Sequence, residues 1–240
     1  MPDPRIALLL YALTVAALLG LFWPGRGAWW RALRALRRRD GREALEDGLK
    51  HLYKSARFGS RASIESLAGV LEITTGQAAR LLDHMRRRGL VDPDHPLELT
   101  EAGRAYALQV IRTHRLWERY LADRTGLKAA AWHEEAEARE HELTEHEVEE
   151  LSARLGHPRY DPHGDPIPTA SGEIPDPEGR PLSQLREGSR GTILHIEDEP
   201  HDLYRELLAA GLHPGMRVEV RGRDENSFAI LADGRAVTLD

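Results

Sequence analysis

The chain has 240 residues, of which 41% are hydrophobic and 30% charged, with a formal net charge of −6, a globular composition sufficient for one or two small domains plus appendages. It contains no cysteine, which excludes disulfides, thiolate metal sites and cysteine nucleophiles and leaves nitrogen and oxygen as the only metal donors. The net acidity does not announce a nucleic-acid partner, but nine Glu fall within 133–150, so a basic surface elsewhere remains open.

Ile6 to Trp23 runs for 18 residues without a charge. As a helix it extends about 27 Å, just under the ~30 Å hydrocarbon core of a bilayer. A cleaved signal peptide is the rival reading. It fits less well, because the positive n-region is slight and no small-x-small cleavage site follows. Arg26, Arg31, Arg34, Arg37, Arg38 and Arg39 precede Asp40, with Trp29 and Trp30 among them. Interfacial aromatics followed by arginines place that flank on the cytoplasmic side. The expectation over 1–40 is a single-pass anchor in the inner (cytoplasmic) membrane, with the C-terminal bulk in the cytoplasm.

Leu45, Leu49, Leu52 and Tyr53 recur at helical spacing across Ala44–Ala56, and Gly59 and Ser60 close that helix. Ser63–Val70 reads as a second helix. Thr74 or Thr75 caps a third that runs to about Arg88, with Gly89 as its stop. Leu90-Val91 and Leu97–Thr100 flank a turn and read as a short hairpin. Three helices and a two-stranded wing over 41–106 make a winged helix-turn-helix. Leu67, Ala68, Val70, Ala78, Leu81 and Leu82 form its apolar interface. Thr74, Thr75, Gln77 and Arg80 then face a major groove, and Arg61, Arg86, Arg87 and Arg88 reach phosphates. A structural helical hairpin or a protein-binding winged helix is the competing reading.

Glu101–Gly126 is a long helix. Ala130 to about Leu155 holds the His/Glu-rich segment and completes a helical domain over 107–157. The stretch 158–181 carries seven prolines and reads as a linker without its own core. Beyond it, Gly191–Ile196, Met216–Arg221, Phe228–Leu231 and Ala236–Leu239 alternate as short strands, with one helix over Pro200–Ala210. These predict a small SH3-type barrel over 182–240. The fold class is therefore mainly α with a small β-barrel.

The segment His133-Glu-Glu-Ala-Glu-Ala-Arg-Glu-His141 carries the chemistry. At about 100° per residue, His133, Glu137, Glu140 and His141 share an arc of roughly 100° on one helix. Two imidazoles and two carboxylates on one face suit a divalent transition metal. A solvated acidic helix is the competing reading. His114 and Glu118, spaced i, i+4 on the long helix, supply a second inward pair. Asp47 on the first helix is a third source, which ties the reading head to the same ion.

These motifs, in this order, resemble the DtxR/MntR (diphtheria toxin repressor) family of metal-dependent repressors. Leu45-Glu-Asp-Gly-Leu-Lys-His-Leu-Tyr53 is similar to the family's first helix, with Asp47 at a ligand position. Arg86-Arg-Arg-Gly-Leu-Val91 and Leu99-Thr-Glu-Ala-Gly103 are similar to the end of its recognition helix and its wing. Thr113-His-Arg-Leu-Trp-Glu-Arg119 places ligands at His114 and Glu118, and 133–141 places them at His133, Glu137, Glu140 and His141. Pro162-His-Gly-Asp-Pro-Ile-Pro168 resembles the segment that closes the dimerisation domain, and 182–240 resembles the FeoA-like domain of iron-responsive members. Glu137 takes the position held by Cys in those members, which favours Mn(II) over softer choices. Lys50 stands where manganese-type members have a ligand, and its ammonium is suited instead to neutralising a carboxylate. From the C-terminal domain, His195 and Asp198 are the nearest further donors.

The resemblance implies a homodimer on a palindromic double-stranded operator, switched by regulatory Mn(II) or Fe(II), with Zn(II) as a third candidate, and here tethered to the membrane. The alternative is a membrane-associated accessory of an iron or manganese transporter that acts through the FeoA-like domain. No nucleophile elbow, phosphate loop or water-activating motif supports an enzyme.

Overall fold

The computed structural model describes residues 41–174, 179–198, 200–224 and 227–239. The expected anchor lies outside them. Among the described residues no helix is long and apolar enough to cross a membrane.

Helix α1 (Gly41–Arg57) buries Leu45, Leu49 and Leu52 along one stripe, with Glu46 in the same buried arc. Helices α2 (Ile64–Val70) and α3 (Thr75–Arg87) each begin with a capping box, Ser63 with Ser66 and Thr74 with Gln77. Each box satisfies N-terminal amides that the helix itself leaves unpaired. Gly89 ends α3 at φ +69°, a left-handed conformation that favours glycine. Leu67, Ala78, Leu82 and Met85 join α1 and the start of the next helix in one core. Val70, expected at this interface, is 54% exposed, because the helix turns its last residue to solvent.

The wing is smaller than expected. One bridge, Val91 to Leu99, replaces a hairpin ladder. Pro93 and Pro96 remove amide donors from the turn, and Asp92 Oδ1 instead accepts from the amides of Asp94 and His95.

Helix α4 (Glu101–Arg124) is the spine. It packs on α1 through Ala107, Leu108 and Ile111, and Leu116 meets Val148, Leu151 and Ile167 in a second core. Helix α5 (Trp132–Arg139) ends before the last two His/Glu donors, and Thr144 caps a separate helix, α6 (Glu145–Arg154). The expected single helical face over 133–141 is thus broken: Glu140 is the cap residue of α5 and His141 lies beyond it.

The proline-rich stretch has no helix or strand of its own among its described residues, yet it is packed. Asp161, His163 and Ile167 are buried. Arg112 and Arg115 donate to the carbonyls of Pro168 and Pro166, at 2.8 and 2.6 Å.

In the C-terminal part, β1 (Arg190–Thr192), β2 (Arg217–Arg223), β3 (Phe228–Ala232) and β4 (Arg235–Leu239) form one antiparallel sheet in the order β1-β2-β3-β4. Helix α7 (His201–Ala209) packs Tyr204 against Ile196, Leu212 and Ile230. Among the described residues no pairing closes this sheet into the expected SH3-type barrel. The arrangement is an antiparallel sheet with a register irregularity at Val220/Gly222 and a helix packed on its core.

Candidate metal centre

The inward i, i+4 pair on α4 is where the chemistry starts. His114 Nε2 lies 3.0 Å from Glu118 Oε1 and 3.3 Å from His133 Nδ1 on α5. The same His133 nitrogen is 3.3 Å from Glu118 Oε1 and 2.8 Å from Asp198 Oδ2. His163, from the packed proline-rich stretch, brings its Nε2 to 3.5 Å from Glu118 Oε1. Two overlapping trios result, His114–Glu118–His133 and Glu118–His163–Asp198, which share the Glu118 carboxylate and are also joined by the His133–Asp198 contact.

Those donor separations, 2.8–3.5 Å, match the edges of a coordination polyhedron. With metal–ligand bonds of about 2.1 Å, a tetrahedron has edges of roughly 3.4 Å and an octahedron of roughly 3.0 Å. A second observation agrees. His163 is 1% exposed, and among the described residues its Nδ1 has no hydrogen-bond partner while Nε2 faces the Glu118 carboxylate at 3.5 Å. A buried imidazole nitrogen left unpaired is costly unless something else uses its lone pair or proton. The residues present fit a divalent ion held by nitrogen and oxygen.

A second donor group adjoins the first. Asp47 of α1, Glu140 and His141 bring one ligand atom each within 4.8 Å of one another. His141 Nε2 is 3.4 Å from both Asp47 Oδ1 and Glu140 Oε1. Its other nitrogen is 2.5 Å from Oε2 of Glu46. Glu46 also accepts from Arg42 and Tyr106, so α1 fixes the His141 ring. Glu140 bridges the groups: Oε2 lies 2.5 Å from His114 Nδ1, and Oε1 accepts from Lys50 Nζ at 2.6 Å.

The electrostatics follow from packing carboxylates against imidazoles away from water. Burial disfavours the His133 imidazolium, but hydrogen bonds to Asp198, Glu118 and Glu137 hold its pKa up at about 12. Burial likewise opposes charge on His114, and Glu118 and Glu140 raise it to about 9. Burial pushes Glu140 up, while Lys50 and His114 outweigh it and bring it to about 2. Without an ion, protons on the imidazoles neutralise the carboxylates. Ion entry must release them, because only the deprotonated imidazole ligates.

The sequence-predicted residues divide accordingly. His114, Glu118 and His133 meet in the first group, with Asp198 adjoining it through His133, and Asp47, Glu140 and His141 meet in the second. One shared cluster of all seven predicted donors does not form, since the end of α5 sends Glu140 and His141 toward α1. Glu137 stands at the edge, 39% exposed in its side chain and 3.6 Å from His133 Nε2. His195 lies apart, 3.3 Å from Asp165. Glu46 and His163 were missed. Glu46 had a signal: it sits with Leu49 and Tyr53 at i+3 and i+7, a carboxylate in an apolar stripe. His163, between Pro162 and Gly164, had none.

In the winged domain Arg61, Thr74, Thr75, Gln77, Arg80, Arg86, Arg87 and Arg88 are all exposed. Thr74 and Gln77 are engaged in the capping box. Arg86 and Arg87 both pair with Asp83.

Residues 100–169 match the family described as iron dependent repressor, metal binding and dimerisation domain, and residues 180–240 match the FeoA domain. The chain is 32% identical over 213 residues to the iron-dependent repressor IdeR of Mycobacterium tuberculosis, covering 82% of this chain and 92% of that protein. Its fold is similar to that of a manganese-dependent transcriptional repressor in complex with manganese, at 33% identity and a TM-score of 0.74, covering 81% of this chain and 93% of the other. It is also similar to ScaR with bound Zn2+, at 25% identity and a TM-score of 0.69, covering 81% and 93%. Likeness along nearly the whole length of these proteins, together with the donor groups above, establishes that the chain belongs to the diphtheria toxin repressor (DtxR/MntR) family of metal-dependent transcriptional repressors, which are regulators and not enzymes.

Proposed function

We propose that this chain represses transcription as a homodimer on a palindromic operator when Mn(II) or Fe(II) is bound, with Zn(II) also able to load. The observation that carries this reading is the convergence of His114 Nε2, Glu118 Oε1 and His133 Nδ1, with Asp198 Oδ2 2.8 Å from the same His133 nitrogen. Asp47, Glu137, Glu140 and His141 surround the adjoining group. The bound ion supplies positive charge that holds these carboxylates together.

The chain's own residues do the coupling. Glu46 orients His141, and Lys50 grips Glu140, so α1 of the reading head is tied to the end of α5. A dimer whose heads are fixed at one spacing matches two half-sites. Arg61, Arg80 and Arg86–Arg88 reach phosphates, and Thr75 with Arg80 lies at the start of the recognition helix, where base edges are met. The finer membrane reading is that 1–40 anchors the regulator to the inner membrane; cell fractionation tests it, and recovery of intact chain in the soluble fraction refutes it.

The deciding experiment is a DNA selection on the full-length protein with Mn(II), Fe(II), Zn(II) or chelator. Enrichment of a palindrome with metal and not with chelator is expected. Equal enrichment with chelator refutes metal control.

A further inference from the structure

Lys50 is a buried cation inside a group of metal donors. It projects from α1, its side chain is 11% exposed, and its partner Glu140 is fully buried. The ammonium is 2.6 Å from Glu140 Oε1. That same oxygen is the one facing His141 Nε2, whose other neighbour is Asp47 Oδ1. The ammonium therefore occupies the oxygen that a second ion in the Asp47–Glu140–His141 group would need. An ammonium donates hydrogen bonds and has no lone pair to ligate. A divalent ion on that oxygen would stand beside a like charge in a site with little water to screen it. The groups facing Lys50 are Asp47 on its own helix, Glu137 and Glu140 at the end of α5, and His114 of α4 through Glu140. Among the described residues the His114–Glu118–His133 trio and its neighbour Asp198 have no such tenant: the atoms that meet there are imidazole nitrogens and carboxylate oxygens.

We propose that the chain takes one divalent ion per protomer, in the His114–Glu118–His133–Asp198 group, and that Lys50 is the built-in cation of the Asp47–Glu140–His141 group. This rests on the metal-dependent reading above and deepens it. The tie between α1 and Glu140 is then made by a covalently attached charge, present whether or not metal is loaded. The regulatory ion acts on the other side of Glu140, through His114.

The test is ion stoichiometry. The full-length protein is stripped with chelator and dialysed against Mn(II), and bound manganese is counted per protomer, with electron paramagnetic resonance to detect coupled pairs. Wild type should take one ion with an uncoupled spectrum, and His114→Ala should lose it. Lys50→Gln and Lys50→Glu should each take two, with coupling between them. The Gln variant carries the test if the added carboxylate prevents folding, and circular dichroism with dimer mass confirms its fold. Two ions in wild type overturn the role of Lys50 while leaving metal-dependent regulation standing. So does one ion lost from Asp47→Ala but retained in His114→Ala, and so does a folded Lys50→Gln protein that still takes one. No ion bound by wild type overturns the metal-dependent reading itself, and this inference with it.

Discussion

Gly164→Ala should weaken the metal site through the backbone that supports it. Gly164 has φ +94°, and a Cβ built there would lie 1.9 Å from the carbonyl oxygen of Leu194 and 2.8 Å from His195 Cα. Both neighbours are backbone, so relief requires the 161–166 and 193–198 segments to separate by more than 1 Å. That separation breaks the hydrogen bond from the Ile196 amide to the His163 carbonyl, 2.9 Å long. The conformational penalty is about 1–2 kcal/mol, and the broken bond adds about 0.5–1.5 kcal/mol. Parting the two segments draws Asp198 away from His133 and shifts His163 against Glu118. Manganese affinity should fall by roughly 10–100-fold, the usual effect of disturbing the support of a metal ligand. The assay is equilibrium dialysis with Mn(II), paired with calorimetric unfolding. Gly172→Ala is the control: it has φ +81° but meets only a Leu108 side chain, at 3.8 Å, so it carries the backbone strain without the collision. If Gly164→Ala binds manganese as tightly as Gly172→Ala does, the docking argument is wrong.

His114→Ala removes a donor that sits at the junction of both groups, and should weaken manganese binding at least tenfold in the same dialysis; unchanged affinity would take His114 out of the site. Glu46→Gln keeps the shape but removes the charge that Arg42 and His141 face, and should destabilise the chain by roughly 1.5–3 kcal/mol in urea unfolding; an unchanged midpoint would mean that the His141 contact contributes nothing. Arg80→Ala should lower operator affinity and reduce the salt slope by about 1, measured by fluorescence anisotropy across a salt series; an unaltered slope would show that Arg80 meets no phosphate.

The reading head was legible because its signals are local. Ser63, Thr74 and Gly89 mark helix ends through their own backbone chemistry, and all three mark them in the structure. His114 and Glu118 were legible for the same reason, since one turn of α4 fixes their relation. The 133–141 arc misled because periodicity assumes that a helix continues. Thr144 starts a new helix instead, and the few residues before it swing Glu140 and His141 toward α1. His163 was invisible because its role depends on a stretch with no periodic pattern, held down by Arg112 and Arg115 from α4. The wing was overread because two prolines in so short a turn leave few amides to build a ladder.

Asp198 belongs to the C-terminal domain, yet it reaches 2.8 Å from His133 of the helical domain. Coupling of this kind is reciprocal: if the ion strengthens the grip between the two domains, separating them must weaken the grip on the ion by the same factor. A protein that captured the FeoA-like domain would therefore act as an inducer, discharging the sensor at constant cellular metal.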